Sequence, residues 1–239
     1  MFNIYTEILS SKRSNQKLLA ILIDPDKVAI DKLEGLLLKI NQSIATHIFV
    51  GGSLVKTNQI DAIVKKIKQY CNLPVLLFPG NPSQISSFAD GILFLNLISG
   101  RNPEYLIEHQ VNAVPVIEKT KLEVISTGYI LIENGKETAV EIVSQTKPLD
   151  RNNIDYVCQT AKAGEYMGNK LIYLEAGSGA EKAIPIEMIE QVAKKLTIPL
   201  LVGGGIRTNE QIEKAFKAGA DLVVIGTAFE NNPNFFDAC

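Results

Sequence analysis

The sequence predicts an α/β fold, a (β/α)8 or TIM barrel, on three observations. Short apolar runs recur along the chain, most of them continuous rather than alternating, as in parallel strands buried on both faces. Between them lie stretches whose apolar residues fall at three- and four-residue spacing, the pattern of amphipathic helices. Finally, two glycine-bearing turns follow the last two runs, in "LLVGGGIRTNEQIEKAFKAGADLVVIGTAF" from Leu200 to Phe229. Eight strands alternating with helices close naturally into such a barrel.

The elements follow in order. "LLAILID" (18–24) is the first strand, "DKLEGLLLKI" (31–40) a helix and "HIFVGG" (47–52) the second strand. "NQIDAIVKKIKQY" (58–70) is helical, and "LPVLLFPG" (73–80) and "GILFLN" (91–96) are strands three and four. "AVPVIEK" (113–119) has strand character, but counting it would give nine strands, so Pro103 to Lys119 is expected as an irregular helix, kinked or restarted at Pro115. "EVISTGYILIE" (123–133) is strand five. Asn134-Gly135 follows it between β-prone runs, a hairpin signal that would carry this strand beyond the rim. "LIYLEAG" (171–177), "IPLLVGG" (198–204) and "DLVVIG" (221–226) complete the set, with helices in "IEMIEQVAKKL" and "NEQIEKAFKAG". Without a linker, repeat or low-complexity stretch, residues 1–239 are expected to form one domain.

Composition narrows the function. A net charge of −2, from 24 basic and 26 acidic residues, gives no basic surplus for nucleic acid or for a charged membrane surface. Cys71, Cys158 and Cys239 are an odd number without metal-ligand spacing, which points to a reducing, cytoplasmic setting. No signal-peptide pattern or run approaching the ~20 apolar residues of a membrane helix is visible, so a soluble protein is expected.

Barrel active sites form at the C-terminal ends of the strands. Those ends here are Asp24-Pro25-Asp26, Gly51-Gly52-Ser53, Pro79-Gly80-Asn81, Glu175 to Gly179, Gly203 to Gly205 and Gly226-Thr227. Glycine can merely close a tight turn. Three neighbouring clusters, two expected to lead into helix N-termini, point instead to a phosphate cradle, with the Ser178 hydroxyl completing it. Asp24 should face the mouth and, with Ser53, offers the hard oxygen ligands that suit Mg2+. Asp26 is expected to cap the next helix. Glu175, among apolar neighbours, is costly to bury unless used, as a general base or as a holder of a substrate hydroxyl. His47 and His109 are expected to be structural; Lys27 and Lys56 follow strand-end loops and could meet an anion, with a solvent-facing side chain as the default expectation.

Together "LAILIDPDK", "HIFVGGS", "LFPGNP", "STGYILIENG", "YLEAGSG", "LLVGGGIR" and "VIGTAF" resemble the geranylgeranylglyceryl phosphate synthase family, the phosphoglycerol prenyltransferases, from about Leu18 to Phe229. The glycine-rich end is common to many phosphate-binding barrels. The pairing of Asp-Pro-Asp-Lys with Tyr-Leu-Glu-Ala-Gly-Ser-Gly is far more specific.

The resemblance implies an enzyme joining sn-glycerol 1-phosphate to a long prenyl diphosphate, most simply geranylgeranyl, with Mg2+, to give ether-lipid precursors. It implies Asp24 and Ser53 as metal ligands. It implies a glycerol phosphate site at Tyr173, Leu174, Glu175, Ala176, Gly177, Ser178, Gly179, Gly204, Gly205, Gly226 and Thr227. It also implies a homo-oligomer, with transient membrane contact for product release. Some family members carry a lysine two residues before the metal-binding aspartate; here that position is Leu22, so no lysine contact is carried over. The prenyl tail needs an apolar groove, which "GILFLNLI" and "STGYILI" can supply. Two alternatives share the glycine-rich end: a phosphosugar isomerase or lyase, and a phosphometabolite-binding barrel without catalysis.

Overall fold

We describe residues 3–53, 55, 59–232 and 235–236 of a computed structural model of the chain. Eight parallel strands form a closed barrel in sequence order: β1 (Leu18–Ile23), β2 (His47–Gly52), β3 (Val75–Pro79), β4 (Gly91–Leu97), β5 (Glu123–Leu131), β6 (Leu171–Glu175), β7 (Leu200–Gly203) and β8 (Leu222–Ile225). Pairing of β8 back to β1 closes the ring, with Leu18 opposite Leu222.

Alternation along each strand sorts the core into two shells. Leu18, Ala20, Phe49, Leu76, Leu93, Ile125, Tyr129, Leu171, Tyr173, Leu201 and Leu222 share the inner cluster. Leu19, Ile21, Ile48, Val75, Ile172, Leu174 and Val202 lie in the outer one, against the helices. The helices expected from periodicity appear as α2 (Leu33–Asn41), α3 (Ile60–Tyr70), α7 (Ile186–Lys195) and α8 (Asn209–Lys217). In α3 the buried residues are Ile60, Ile63, Val64 and Ile67, one apolar stripe that seats the helix on the barrel.

Helix α1 (Ile4–Arg13) has no strand before it and was not marked by the strand pattern. Its Ile4 and Ile8 join the inner cluster, so the helix plugs the foot of the barrel. The Glu123 carboxylate fixes it there by accepting the Ile4 and Tyr5 amides at 2.6 and 2.9 Å. His47, at the start of β2, is fully buried, with Nδ1 2.8 Å from Thr46 Oγ1. Burial pushes its pKa down to about 4.

The segment after β4 is the irregular helix expected. A π turn over Glu104–Glu108 runs directly into α4 (His109–Ile117), which carries Pro115 inside it. His109 therefore sits in the middle of a continuous helical stretch.

The hairpin does not form. Gly135 turns the chain with φ +101, but Asn134 is buried and its amide donates to Ala176 O at 2.8 Å. Thr138 and Glu141 then make a reciprocal capping box that starts α5 (Ala139–Ser144). A local Asn-Gly signal was overridden by a capping signal three residues later and a tie to the neighbouring loop. Helix α6 (Ile154–Tyr166) precedes β6, and a short α9 (Thr227–Asn231) follows β8.

Candidate active site

The C-terminal ends of the strands open on a cavity of about 620 Å³. Asp24, Ser53, Tyr173, Glu175, Gly177, Ser178, Gly179, Gly204, Gly205, Gly226 and Thr227 all border it. Leu174 and Ala176 do not: both side chains lie in the outer shell beneath the helices. Strand alternation explains this, since neighbours of an inward Tyr173 and Glu175 must point outward. A motif read as a continuous run therefore overstates which side chains reach the mouth.

Glu175 ends β6, opposite Leu131 on one side and Gly203 on the other. It is 6% exposed, and Oε1 accepts the Gly177 amide at 2.7 Å. Burial raises its pKa above the usual glutamate value, while the Tyr173 phenol and the Gly177 amide act in the opposite direction. The carboxylate is thus held in a fixed direction and made more basic than a surface glutamate. Tyr129 and Tyr173 stand against it with ring centroids 5.5 Å apart, both phenols shifted well upward, first by burial and then by the charge of Glu175. These hydroxyls stay protonated and able to donate.

Across the mouth, Asp24 follows β1. Its Oδ1 accepts the Asp26 amide at 3.0 Å, so Asp24 shapes the Asp-Pro-Asp turn. Asp26 does not cap the next helix, because α2 begins only at Leu33, after Lys32. The Asp24 carboxylate lies against Gly52, where an added Cβ would meet it at 3.5 Å. Ser53 is the next residue, and its loop is pinned from below by Gln84, which is buried. Gln84 Nε2 donates to Gly52 O at 3.0 Å and its Oε1 accepts the Gly80 amide at 3.2 Å. Gln84 gave no sequence signal, since a lone glutamine after a strand is ordinarily a surface residue.

One carboxylate and one hydroxyl at this corner suit Mg2+, which keeps most of its waters and takes phosphate oxygens. Among the described residues no three His, Cys, Asp or Glu side chains converge in a way that would cage a metal by protein alone. The donor set fits an ion that would take the rest of its shell from other oxygen donors.

The cradle is built on close backbone contacts. Gly204 has φ +80, and a Cβ there would strike Glu175 Oε1 and the Gly177 amide nitrogen, the latter at 2.7 Å. Only glycine lets the loop after β7 approach the loop after β6 so closely. Of the two loops expected to lead into helix N-termini, the one after β7 does not, since α8 starts only at Asn209, capped by Thr208; α7 likewise starts at Ile186, beyond the glycines after β6. Only Gly226-Thr227 opens directly into a helix, the short α9. The cradle is therefore mainly a meeting of glycine loops. Arg207 ties two of them, its guanidinium donating to Ala180 O and Glu181 O at 2.6 and 3.1 Å.

Lys27, for which solvent was the default expectation, instead reaches over the mouth toward Ser178 and Glu230 at 3.2 Å each. Lys56 lies outside the described residues, as does Cys239. Cys71 and Cys158 are unbridged and buried.

A second cavity of about 100 Å³ adjoins the first. Gly52, Ser53, Phe78, Tyr129 and Val140 border both. From there it runs between β4 and α4, past Leu93, Leu95, Leu97 and Ala113, with His109 and Gln110 along its wall. "GILFLNLI" thus contributes one wall, and the Tyr129 ring stands where the polar mouth meets the apolar channel.

The sequence matches the PcrB family over residues 12–238. A geranylgeranylglyceryl phosphate synthase from Flavobacterium johnsoniae is 61% identical over 235 residues, covering 98% of this chain and 97% of that protein. The crystal structure of (S)-3-O-geranylgeranylglyceryl phosphate synthase from Thermoplasma acidophilum, in complex with its substrate sn-glycerol-1-phosphate, superposes with a TM-score of 0.93 at 32% identity, covering 100% of this chain and 96% of that one. A mutant tryptophan synthase α-subunit from Pyrococcus furiosus, with TM-score 0.59, 15% identity and 93% of each chain covered, shares the fold alone. The chain belongs to the PcrB family, and its relatives there are prenyltransferases named geranylgeranylglyceryl phosphate synthase.

Proposed function

We propose that this protein transfers a geranylgeranyl group from its diphosphate to the 3-hydroxyl of sn-glycerol 1-phosphate, with Mg2+, forming an ether-lipid precursor and diphosphate. The observation that carries the reading is a pair of adjoining cavities with Gly52, Ser53, Phe78, Tyr129 and Val140 in both walls. Together they have a glycine cradle at one side, Asp24 and Ser53 at the other, Glu175 between them and an apolar channel leading away. The T. acidophilum relative, named with sn-glycerol-1-phosphate as its substrate, suggests the occupant of the cradle.

In this reading the loops after β6, β7 and β8 hold the phosphate and leave the glycerol hydroxyl beside Glu175. Asp24 and Ser53 would hold Mg2+, which would supply neutralisation of charge on the departing diphosphate. The allylic C–O bond breaks with its electron pair leaving on the diphosphate. The glycerol oxygen bonds to the same carbon, and its proton passes to Glu175. Placing both substrates in adjoining cavities supplies much of the acceleration. The buried, unbridged Cys71 and Cys158 favour a cytoplasmic setting, and among the described residues no helix is long and apolar enough to cross a membrane. Assembly as a homo-oligomer belongs to the same reading.

The test is incubation of purified protein with sn-glycerol 1-phosphate, Mg2+ and labelled prenyl diphosphates from C20 to C35. A butanol-extractable phosphate ester, formed best with C20, is expected. Failure at every length overturns the proposal. Turnover of a phosphoribosyl substrate without Mg2+ would support the isomerase reading, and tight phosphate binding without any turnover the binding-barrel reading.

A further inference from the structure

The Lys27 ammonium occupies a place that a half-exposed lysine does not ordinarily take. Its Nζ lies 3.2 Å from Ser178 Oγ, 3.2 Å from Glu230 Oε2 and 3.4 Å from Asp24 Oδ2. These partners belong to the loop after β6, to α9 and to its own turn after β1. The side chain therefore spans the mouth between the glycine cradle and the Asp24 corner.

The charge around the cavity gives this position its meaning. Asp24, Glu175 and Glu230 border it with carboxylates, and among the described residues Lys27 and Arg207 border it with cations. Arg207 already donates to two backbone carbonyls, which hold its guanidinium to the loop it braces. Lys27 holds no backbone group among these contacts; its partners are a hydroxyl and two carboxylates. A phosphate entering beside Ser178 meets surplus negative charge at short range, where an unscreened like charge is costly. An ammonium on a flexible stem, with three donors, is suited to offset it.

We propose that Lys27 binds the phosphate group of the acceptor substrate, donating to it beside Ser178, while Glu230 holds the ammonium over the cavity from the opposite side. This rests on the reading of the cradle as a glycerol phosphate site. Lys27 then stands within reach of both ends of the mouth and links acceptor binding to the Asp24 corner. Its removal would take away the positive charge and also leave Glu230 and Asp24 facing each other uncompensated.

Calorimetric titration of sn-glycerol 1-phosphate and of inorganic phosphate, with chelator present, tests the proposal on the wild type, Lys27→Met and Lys27→Arg. Loss of a charge-assisted contact predicts a roughly 10- to 100-fold weaker affinity in Lys27→Met for both ligands, with a flatter salt dependence. Lys27→Arg should recover most of the loss. Unliganded Lys27→Met should keep the circular-dichroism spectrum of the wild type with a lowered melting temperature, since the largely buried Asp24 and Glu230 carboxylates lose the cation between them. Equal affinity in wild type and Lys27→Met, with or without a lowered melting temperature, makes Lys27 a loop tie and overturns the proposal. Weakened glycerol phosphate binding with unchanged inorganic phosphate binding moves the contact off the phosphate and overturns it too. A wild type that binds neither ligand removes the functional reading itself, and Lys27's role with it.

Discussion

At the scale of single residues, Glu175 combines a fixed direction with a pKa pushed upward by burial. Only its ionised form can take a proton, so kcat/KM should fall as pH drops through an apparent pKa above the ordinary glutamate value. Glu175→Gln should lower kcat by roughly 10²–10⁴-fold and remove that acid limb, with little change in glycerol phosphate affinity. Steady-state kinetics from pH 4.5 to 8 checks this. A collapse of affinity with kcat intact would instead make Glu175 a holder of the hydroxyl. Asp24→Asn should keep the fold and lose most turnover, partly restored by excess Mg2+, because a neutral amide is a weak ligand for a hard cation. Wild-type turnover with wild-type Mg2+ dependence would refute the metal assignment. Glu175 was legible in the sequence because a carboxylate ending an apolar strand is rarely idle. For Lys27 the strand-end position left an anion contact open beside the solvent-facing default, and the partners that decide, Ser178 and Glu230, lie 151 and 203 positions away.

At the scale of elements, periodicity placed all eight strands, because a parallel barrel makes every strand a continuous apolar run. It missed α1 and the tie made by Asn134, because each depends on a partner distant in sequence: Glu123 for one, Ala176 for the other. The loop after β7 offers a direct test. A methyl group at Gly204 would collide with Glu175 and the 176–177 backbone, and φ +80 adds strain. Gly204→Ala should therefore weaken glycerol phosphate binding and lower kcat together, with a smaller effect on the KM for prenyl diphosphate. Equal losses for both substrates would indicate a general folding defect. At the opposite end of the barrel, His47 on β2 should affect stability alone. The folded chain keeps it neutral down to about pH 4, whereas the unfolded chain protonates it near 6.5. Its contribution is thus complete above pH 6.5 and is lost as pH falls toward 4, about 3 kcal/mol in all. With only two histidines in the chain, NMR titration can assign the transition, and a His47 pKa near 6.5 would refute the account.

At the scale of the whole molecule, the barrel separates stability from chemistry. The α1 plug, His47 and Glu123 close the foot, while the loops bearing Asp24, Ser53, Glu175 and the glycines carry the site at the other rim. The wall between the narrow channel and the outside is α4 with its π turn, and its outer surface carries exposed aliphatic side chains beside the exposed Glu104, Glu108 and Asn112. Ile107, Val111 and Val114 follow one another at four and three residues and are 57, 55 and 42% exposed. Three large aliphatic side chains on one outward helical surface carry a hydration cost that a second copy of the chain can relieve. The same helix presents His109, Gln110 and Ala113 to the channel, so a copy packed on it would stiffen the wall that shapes the prenyl site. Sedimentation equilibrium should therefore show an oligomer for the wild type, and Val111→Glu should shift it toward the monomer by placing a charge in the contact. The monomeric variant should keep its glycerol phosphate affinity, since the cradle lies on β6 to β8, and should discriminate less sharply among prenyl lengths. A wild type that remains monomeric at high micromolar concentration, or a Val111→Glu variant that assembles as the wild type does, would leave this apolar stripe without the role assigned to it.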